Sequence, residues 1–529
     1  MSERVYLFDT TLRDGGQTQG VDFSVSDKIA IAQALDALKL DYVEGGWPGA
    51  NPTDDAFFAE APALSHSRLT AFGMTRRAGR SAANDPGLAA LLSTKARVVC
   101  MVGKCWDFHV DVALGIDRAE NLAMIRDSVA HARTRVDEVV FDAEHFFDGY
   151  KANPAYALDC IRAAAGARWI VLCDTNGGTL PHEVARIVGE VVKEIPGERL
   201  GIHAHNDTGN AVANSLAAVE AGARQVHGTL NGLGERCGNA NLVTLIPTLM
   251  LKYDGRYALG LAQEDLRHLT HTARLLDELL NRAPDRHAPY VGEAAFAHKG
   301  GLHVSAVLKD PASYEHVPPE AVGNRRHIVV SDQGGRANLL ARLAEIGIDI
   351  DAGDPKVRRL VEEVKQREFE GYAYDGAEAS FELLARRALG QVPEFFRMQS
   401  FRVEVERRRN AKGELVTVSQ AVVKLAVGEH STLQVAEGNG PINALDAALR
   451  QSLIPHYPQL DPVRLVDFKV RILTPQEATA ATTRVMIEHS GPDGQRWWTV
   501  GISPNIIDAA YEAMHDGIVY KLLRDSQAS

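Results

Sequence analysis

Cysteine is scarce in this chain and carries no pattern. The five present (Cys100, Cys105, Cys160, Cys173, Cys237) are odd in number, and no two stand as Cys-x-x-Cys. That excludes a disulfide framework and a zinc knuckle, and it fits a reducing compartment. No apolar run reaches the roughly 18 residues a membrane helix needs, so no membrane partner is expected. A signal peptide is also missing. Val5-Tyr6-Leu7-Phe8 already reads as a strand, and a cytoplasmic protein is the expectation. Positive charge is in deficit: 57 Lys and Arg stand against 69 Asp and Glu, a net −12 that argues against a nucleic-acid partner. What remains is ordinary globular material. Its 529 residues are 45% hydrophobic and 24% charged, enough for roughly two to four domains with real cores.

Short apolar runs recur about every thirty residues: Val5–Phe8, Tyr42–Val43, Leu69–Phe72, Val98–Met101, Val139–Phe141, Ile170–Leu172, Leu200–Ile202 and Gln225–Val226. Helical segments such as Asp27–Leu38, Ala119–Ala132 and Leu180–Lys193 lie between them. Strands alternating with helices predict a parallel sheet, and eight such units favour an α/β fold closed as a (β/α)₈ TIM barrel over residues 1–252. From 253 to 399 the strand rhythm stops. Amphipathic helices at Leu266–Leu280, Gly335–Ala344 and Lys356–Arg367 predict a helical connector. From 400 to 529 the texture is β-rich. Three strands and a turn lead into a helix near Ala444, and a weaker copy leads into one at Ile506. A duplicated β-β-β-α unit is the natural reading. It carries no obvious catalytic group, so an amino-acid-sensing or dimerisation domain is expected.

The chemistry gathers at the strand ends. Asp9-Thr10-Thr11-Leu12-Arg13-Asp14-Gly15-Gly16-Gln17 follows the first strand, and His203-Ala204-His205-Asn206-Asp207 ends the seventh. A strand's period of two turns His203 and His205 to one side. With Asp14 they make an N/O site for a divalent cation, Mg²⁺, Mn²⁺ or Zn²⁺, with positions open to substrate. Asn239 is placed to add a carbonyl oxygen or to hold a bound water. Arg13, beside Asp14, would neutralise charge growing on a carbonyl oxygen. Thr175 could donate its hydroxyl to a substrate carboxylate, and Glu144 is a candidate general acid–base. The Gly-dense turn holding Asn231, Gly232, Gly234 and Glu235 reads as opening a helix at the eighth strand, and its backbone N–H groups could meet an anion or an acyl-CoA tail, although Glu235 and Arg236 could simply pair. His298-Lys299-Gly300-Gly301-Leu302-His303 reads as a flap or a structural loop.

Together these segments resemble the acyl-CoA-dependent condensing enzymes that include 2-isopropylmalate, homocitrate and citramalate synthases. The first-strand element and His203–Asp207 are shared with the wider superfamily. Asn231–Asn239 and Gly438-Asn439-Gly440-Pro441-Ile442-Asn443-Ala444-Leu445 match the synthases that carry a regulatory domain, and Tyr42–Pro52 resembles the citramalate-forming branch. The resemblance implies condensation of acetyl-CoA with pyruvate, then thioester hydrolysis to (R)-citramalate and CoA. It implies substrate contacts from Arg13, Thr175 and Glu44. It offers two candidate bases, Glu144 and His303, the latter reaching the site from a partner subunit. A homodimer and feedback by isoleucine are further implications. The alternatives are a sister synthase taking a bulkier 2-oxo acid and a carbon–carbon lyase. This chain departs from the family pattern at Val304-Ser305, where relatives commonly have Gln-Asp, and at His327, where they often have tyrosine.

Overall fold

Alternation within each short strand decides where the barrel's side chains go. In a computed structural model, which describes residues 2–328, 335–409 and 411–528, eight parallel strands close on themselves. They are β1 (Tyr6–Asp9), β2 (Tyr42–Glu44), β3 (Arg68–Met74), β4 (Val98–Lys104), β5 (Glu138–Glu144), β6 (Trp169–Asp174), β7 (Leu200–Ala204) and β8 (Gln225–Gly228). β8 returns to β1 through Phe8 opposite His227. Leu7, Val43, Val99, Phe141, Ile202 and Val226 face outward into the layer shared with the helices. Their neighbours Phe8, Tyr42, Cys100, Val140, Trp169 and Val171 form a second buried cluster that fills the barrel. Trp169 is fully buried, and its indole N–H donates to the Tyr42 hydroxyl at 3.1 Å.

Local signals set the helices. Ser24 and Asp27 form a reciprocal capping box on Val25–Ala37, and Asn51 caps Pro52–Glu60 with proline in its first turn. The barrel's compact unit reaches Phe296 and takes in Glu315–Arg326. Glu3–Arg4 pairs in parallel with Tyr257–Ala258, and Leu266, Leu269, Ala273 and Leu276 join the outer core. The amphipathic helix after residue 253 therefore spends its apolar face on the barrel.

The second unit comprises Ala297–Tyr314 and the chain from His327 onward. The helices Arg336–Glu345, Pro355–Glu370 and Glu378–Ala388 share a small apolar cluster. Two three-stranded antiparallel sheets follow: β9 (Arg397–Arg409), β10 (Leu415–Val427) and β11 (His430–Gly438), then β12 (Arg464–Ile472), β13 (Thr483–Ser490) and β14 (Arg496–Ser503). Each runs into a helix, Pro441–Leu453 and Ile506–Ala528, so the β-β-β-α unit is built twice. The helices cover one face of the sheets, where Val423, Leu425, Val485 and Ile487 are buried. Val405, Leu433, Val470 and Ile472 remain 45% to 62% exposed. No helix among the described residues is long and apolar enough to cross a membrane.

Candidate active site

The same alternation that packs the barrel places polar groups at its carboxyl rim. Counting inward positions upward gives Tyr42 then Glu44, Val140 then Asp142 and Glu144, Cys173 then Thr175, and His203 then His205. Strand register sets Lys104 beside Glu144, Cys173 beside His203, and His203 beside His227. A tight turn adds Arg13 and Asp14. Asp9 accepts the Thr11 N–H at 2.8 Å and its hydroxyl at 2.7 Å, and the Thr10 carbonyl accepts the N–H groups of Arg13, Asp14 and Gly15. The Thr11 hydroxyl oxygen also accepts the Leu230 N–H at 2.9 Å, tying this turn to the segment after β8.

Asp14, His203 and His205 converge, their ligand atoms within 4.8 Å of one another. Asp14 Oδ2 lies 3.1 Å from His203 Nε2 and 3.6 Å from His205 Nε2. Asn239 Nδ2 donates to Asp14 Oδ2 at 2.7 Å, while its Oδ1 is buried without a hydrogen-bond partner. Burial alone would push the Asp14 carboxyl up. The Arg13 charge and the two imidazoles outweigh it and hold the group well below the usual carboxylate range. Burial lowers His203 against the opposing pull of Asp14. An ionised carboxylate and a neutral imidazole are the protonation states that a divalent cation requires. The donor set, and an orphaned amide oxygen that a turn of the Asn239 amide would bring forward, fit such an ion.

Arg13 is held on three sides. Its Nε donates to Glu44 Oε2 at 2.7 Å, Nη1 lies 3.5 Å from Asp14 Oδ1, and the guanidinium sits 3.9 Å over the Phe72 ring. Glu44 is fully buried behind Arg13 and is not among the residues that line the cavity, and its carboxylate holds the arginine. Burial raises its carboxyl, with Arg13 pulling the other way. The cavity over the metal site, about 260 Å³, is lined by Arg13, Asp14, Glu144, Thr175, His203 and His205 among others. Glu144 Oε2 lies 2.5 Å from Lys104 Nζ. The Thr175 hydroxyl accepts the His145 N–H at 2.8 Å, which leaves its proton free for a ligand.

One expectation is corrected at the Gly-dense turn. It does not open a helix, because Leu242–Leu251 begins only after Asn241 caps it. The turn is a strap across the rim, with His205 bridged to Asn239 and the Ala240 N–H bonded to the Ala204 carbonyl. The amides of Gly232, Gly234 and Asn239 bond to the Thr229 carbonyl, the Thr18 hydroxyl and the Gly232 carbonyl. Asn231 turns away and donates to Ala273 and Asp277. Of that set only Glu235 lines the cavity. His303 belongs to the second unit, where its ring packs 4.3 Å from Tyr314.

Residues 4–275 match the family model described as HMGL-like, 290–370 the Homocitrate synthase post-HMGL domain-like model, and 375–522 the LeuA allosteric (dimerisation) domain. The chain is 50% identical to the (R)-citramalate synthase of Aquifex aeolicus (strain VF5), covering 100% of this chain and 99% of that protein. The (R)-citramalate synthase of Synechocystis sp. is 49% identical, over 98% of this chain and 96% of the relative. The chain belongs to the citramalate and 2-isopropylmalate synthase family. Within that family the 2-isopropylmalate synthase of the same Synechocystis strain stands further off, at 31% over 92% of this chain and 91% of its own length.

Several site residues escaped the sequence reading. Asp142 and His227 form a second buried group with His203. The His227 ring stacks on Phe8 at 3.9 Å, and its Nε2 lies 3.1 Å from Gln225 Oε1. Burial, reinforced by the nearby Glu44 charge, pushes the Asp142 carboxyl up to about 8. Arg236 braces the other ligand, with Nη2 2.9 Å from His205 Nδ1 and Nε donating to Asp207 at 2.7 Å. The signal for the first group was present. Gln225 and His227 alternate on β8 as His203 and His205 do at the end of β7.

Proposed function

We propose that the chain is an (R)-citramalate synthase, condensing acetyl-CoA with pyruvate and hydrolysing the thioester to release citramalate and CoA. The observation that carries this is full-length identity of 42–50% to five (R)-citramalate synthases, joined to a cavity of about 260 Å³ over a carboxylate–bis-histidine site. Asp14, His203 and His205, with Asn239, would hold a divalent cation, whose Lewis acidity polarises a bound 2-oxo acid. Mg²⁺, Mn²⁺ and Zn²⁺ all suit this donor set.

Arg13, pinned by Glu44 and Phe72, directs its remaining N–H groups at the ketone oxygen, where negative charge grows as the new carbon–carbon bond forms. Its guanidinium stays charged because Glu44 and Asp14 overcome the effect of burial. The Thr175 hydroxyl donates to the substrate carboxylate. Glu144 accepts a proton from the acetyl methyl group, with Lys104 beside it balancing the charge. His303 acts as a second acid–base group supplied by the connector of a partner subunit. The chain works as a homodimer with a catalytic barrel at 1–252, a connector at 253–399 and a regulatory domain from 400 that senses isoleucine.

The test is product analysis with acetyl-CoA, pyruvate and Mn²⁺, separating the enantiomers by chiral chromatography. (R)-citramalate is expected from the native chain. His203→Ala should form none and should weaken Mn²⁺ binding, read by paramagnetic resonance, by more than about 100-fold. Retention of both properties in the variant would refute the site.

A further inference from the structure

Two buried charges near the rim have no part in the chemistry set out above. Lys28 stands on the inward face of the helix Val25–Ala37, at helical spacing from Ile31, Ala32 and Leu35, and is only 4% exposed. Its ammonium donates to one carboxylate oxygen of Asp54, which is 6% exposed in the first turn of Pro52–Glu60, and to the Gly45 carbonyl at 3.0 Å. The other Asp54 oxygen accepts the Trp47 N–H at 2.8 Å and the Asn51 side-chain amide at 3.0 Å. We propose that Lys28 and Asp54 are specificity-determining positioning residues that hold Trp47 as the wall limiting the size of the 2-oxo acid, an inference that rests on the condensing reaction set out above.

An ion pair on the apolar face of a helix is an expensive way to add stability, since hydrophobic side chains of similar volume would serve as well. Its bonds show what it fixes instead. Both Asp54 oxygens are taken, one by the lysine and one by the backbone of the segment that follows β2. That segment is shaped to lie close over the helix. Gly46 has φ +147°, and a Cβ there would strike the Asp54 carboxyl group, while a Cβ on Gly45 would strike the Phe57 ring. The Gly49 N–H donates to Asp55 at 2.7 Å, so both ends of the turn are tied to the same helix. What the clamp delivers is the Trp47 indole. It meets the Phe72 ring edge-on, with centroids 5.4 Å apart, and the other partner of Phe72 is the Arg13 guanidinium at 3.9 Å. Trp47, Phe72 and Arg13 line the cavity of about 260 Å³ over the metal site. Neither Lys28 nor Asp54 is among its lining residues, so each acts through the tryptophan. A wall of this kind rejects an added branch on the substrate only while it cannot swing aside.

The experiment compares pyruvate with 3-methyl-2-oxobutanoate in the full-length chain, by kcat/KM and by calorimetric affinity with Mg²⁺. Asp54→Asn removes the charge and keeps the shape, Lys28→Met removes the cation, and Trp47→Ala removes the wall. Each should lower the preference for pyruvate by about tenfold, in both the kcat/KM ratio and the affinity ratio. Added to Trp47→Ala, Asp54→Asn should change the preference by no more than about twofold, because the wall it positions is already gone. If a single variant does not fold, the paired Lys28→Met/Asp54→Leu variant, which leaves no lone buried charge, carries the same expectation. A purely structural pair would weaken both acids alike, so an unchanged preference in these variants would overturn the proposal. A further tenfold fall on top of Trp47→Ala, or a native chain that favours the branched acid, would overturn it too. A chain that makes no citramalate, but whose binding preference falls in the variants, would uphold the positioning role and reject the proposed reaction.

Discussion

Glu44, buried behind Arg13, would act on the chemistry through the arginine it holds. Its carboxylate makes the shortest contact on Arg13, 2.7 Å against 3.5 Å from Asp14, and fixes the guanidinium on the Phe72 ring. Glu44→Gln keeps the shape and removes the charge. The expected result is a fall in kcat of roughly 10- to 100-fold, since an electrostatic donor loses its preorganisation. Mn²⁺ affinity should hold, because Asp14 and the two histidines are untouched. An unchanged kcat would show that Arg13 is held by other means. Glu44 is legible in the sequence as the residue that follows the apolar pair Tyr42-Val43. Its pairing with Arg13 is not, because it depends on Arg13 folding back from another strand's turn.

At the scale of elements, β13 carries a pH liability. His489 is buried against Trp497, their ring planes within 15°, and burial with the nearby Arg450 charge pushes its imidazole down to about 4. The unfolded chain takes up a proton near pH 6.5 that the folded chain refuses until about pH 4. Stability is therefore lost as pH falls through that window, by about 3 kcal/mol in full. Urea denaturation of the second unit's transition at pH 7.5 and 5.0 should show the loss, and His489→Gln should flatten it. Equal slopes in both proteins would reject the assignment. The barrel strands were the legible elements, because eight apolar runs followed by polar rim residues have few other solutions. The strap after β8 was not legible. Its glycines read as the start of a helix, whereas the chain runs back along the rim and is laced to β7 by bonds between residues distant in sequence. Nor did the sequence show what covers the helix Leu269–Leu279, whose Leu269, Ala273 and Leu276 join the barrel's outer core. An amphipathic helix announces an apolar face but not the surface that covers it.

The whole molecule joins a barrel to a terminal domain that has an uncovered apolar sheet face. With 375–522 matching an allosteric (dimerisation) domain, that face is where two chains would meet. Removing the residues after Gln399 should abolish feedback inhibition by isoleucine, measured as rate against effector concentration. Inhibition that survives the truncation would put the sensor elsewhere. Substrate choice is read from the initial rate of free-thiol release from acetyl-CoA with Mn²⁺, comparing pyruvate with 3-methyl-2-oxobutanoate. A small cavity walled by Trp47 and Phe72 predicts a kcat/KM preference for pyruvate of roughly 100-fold or more. Equal rates, or a preference for the branched acid, would contradict it.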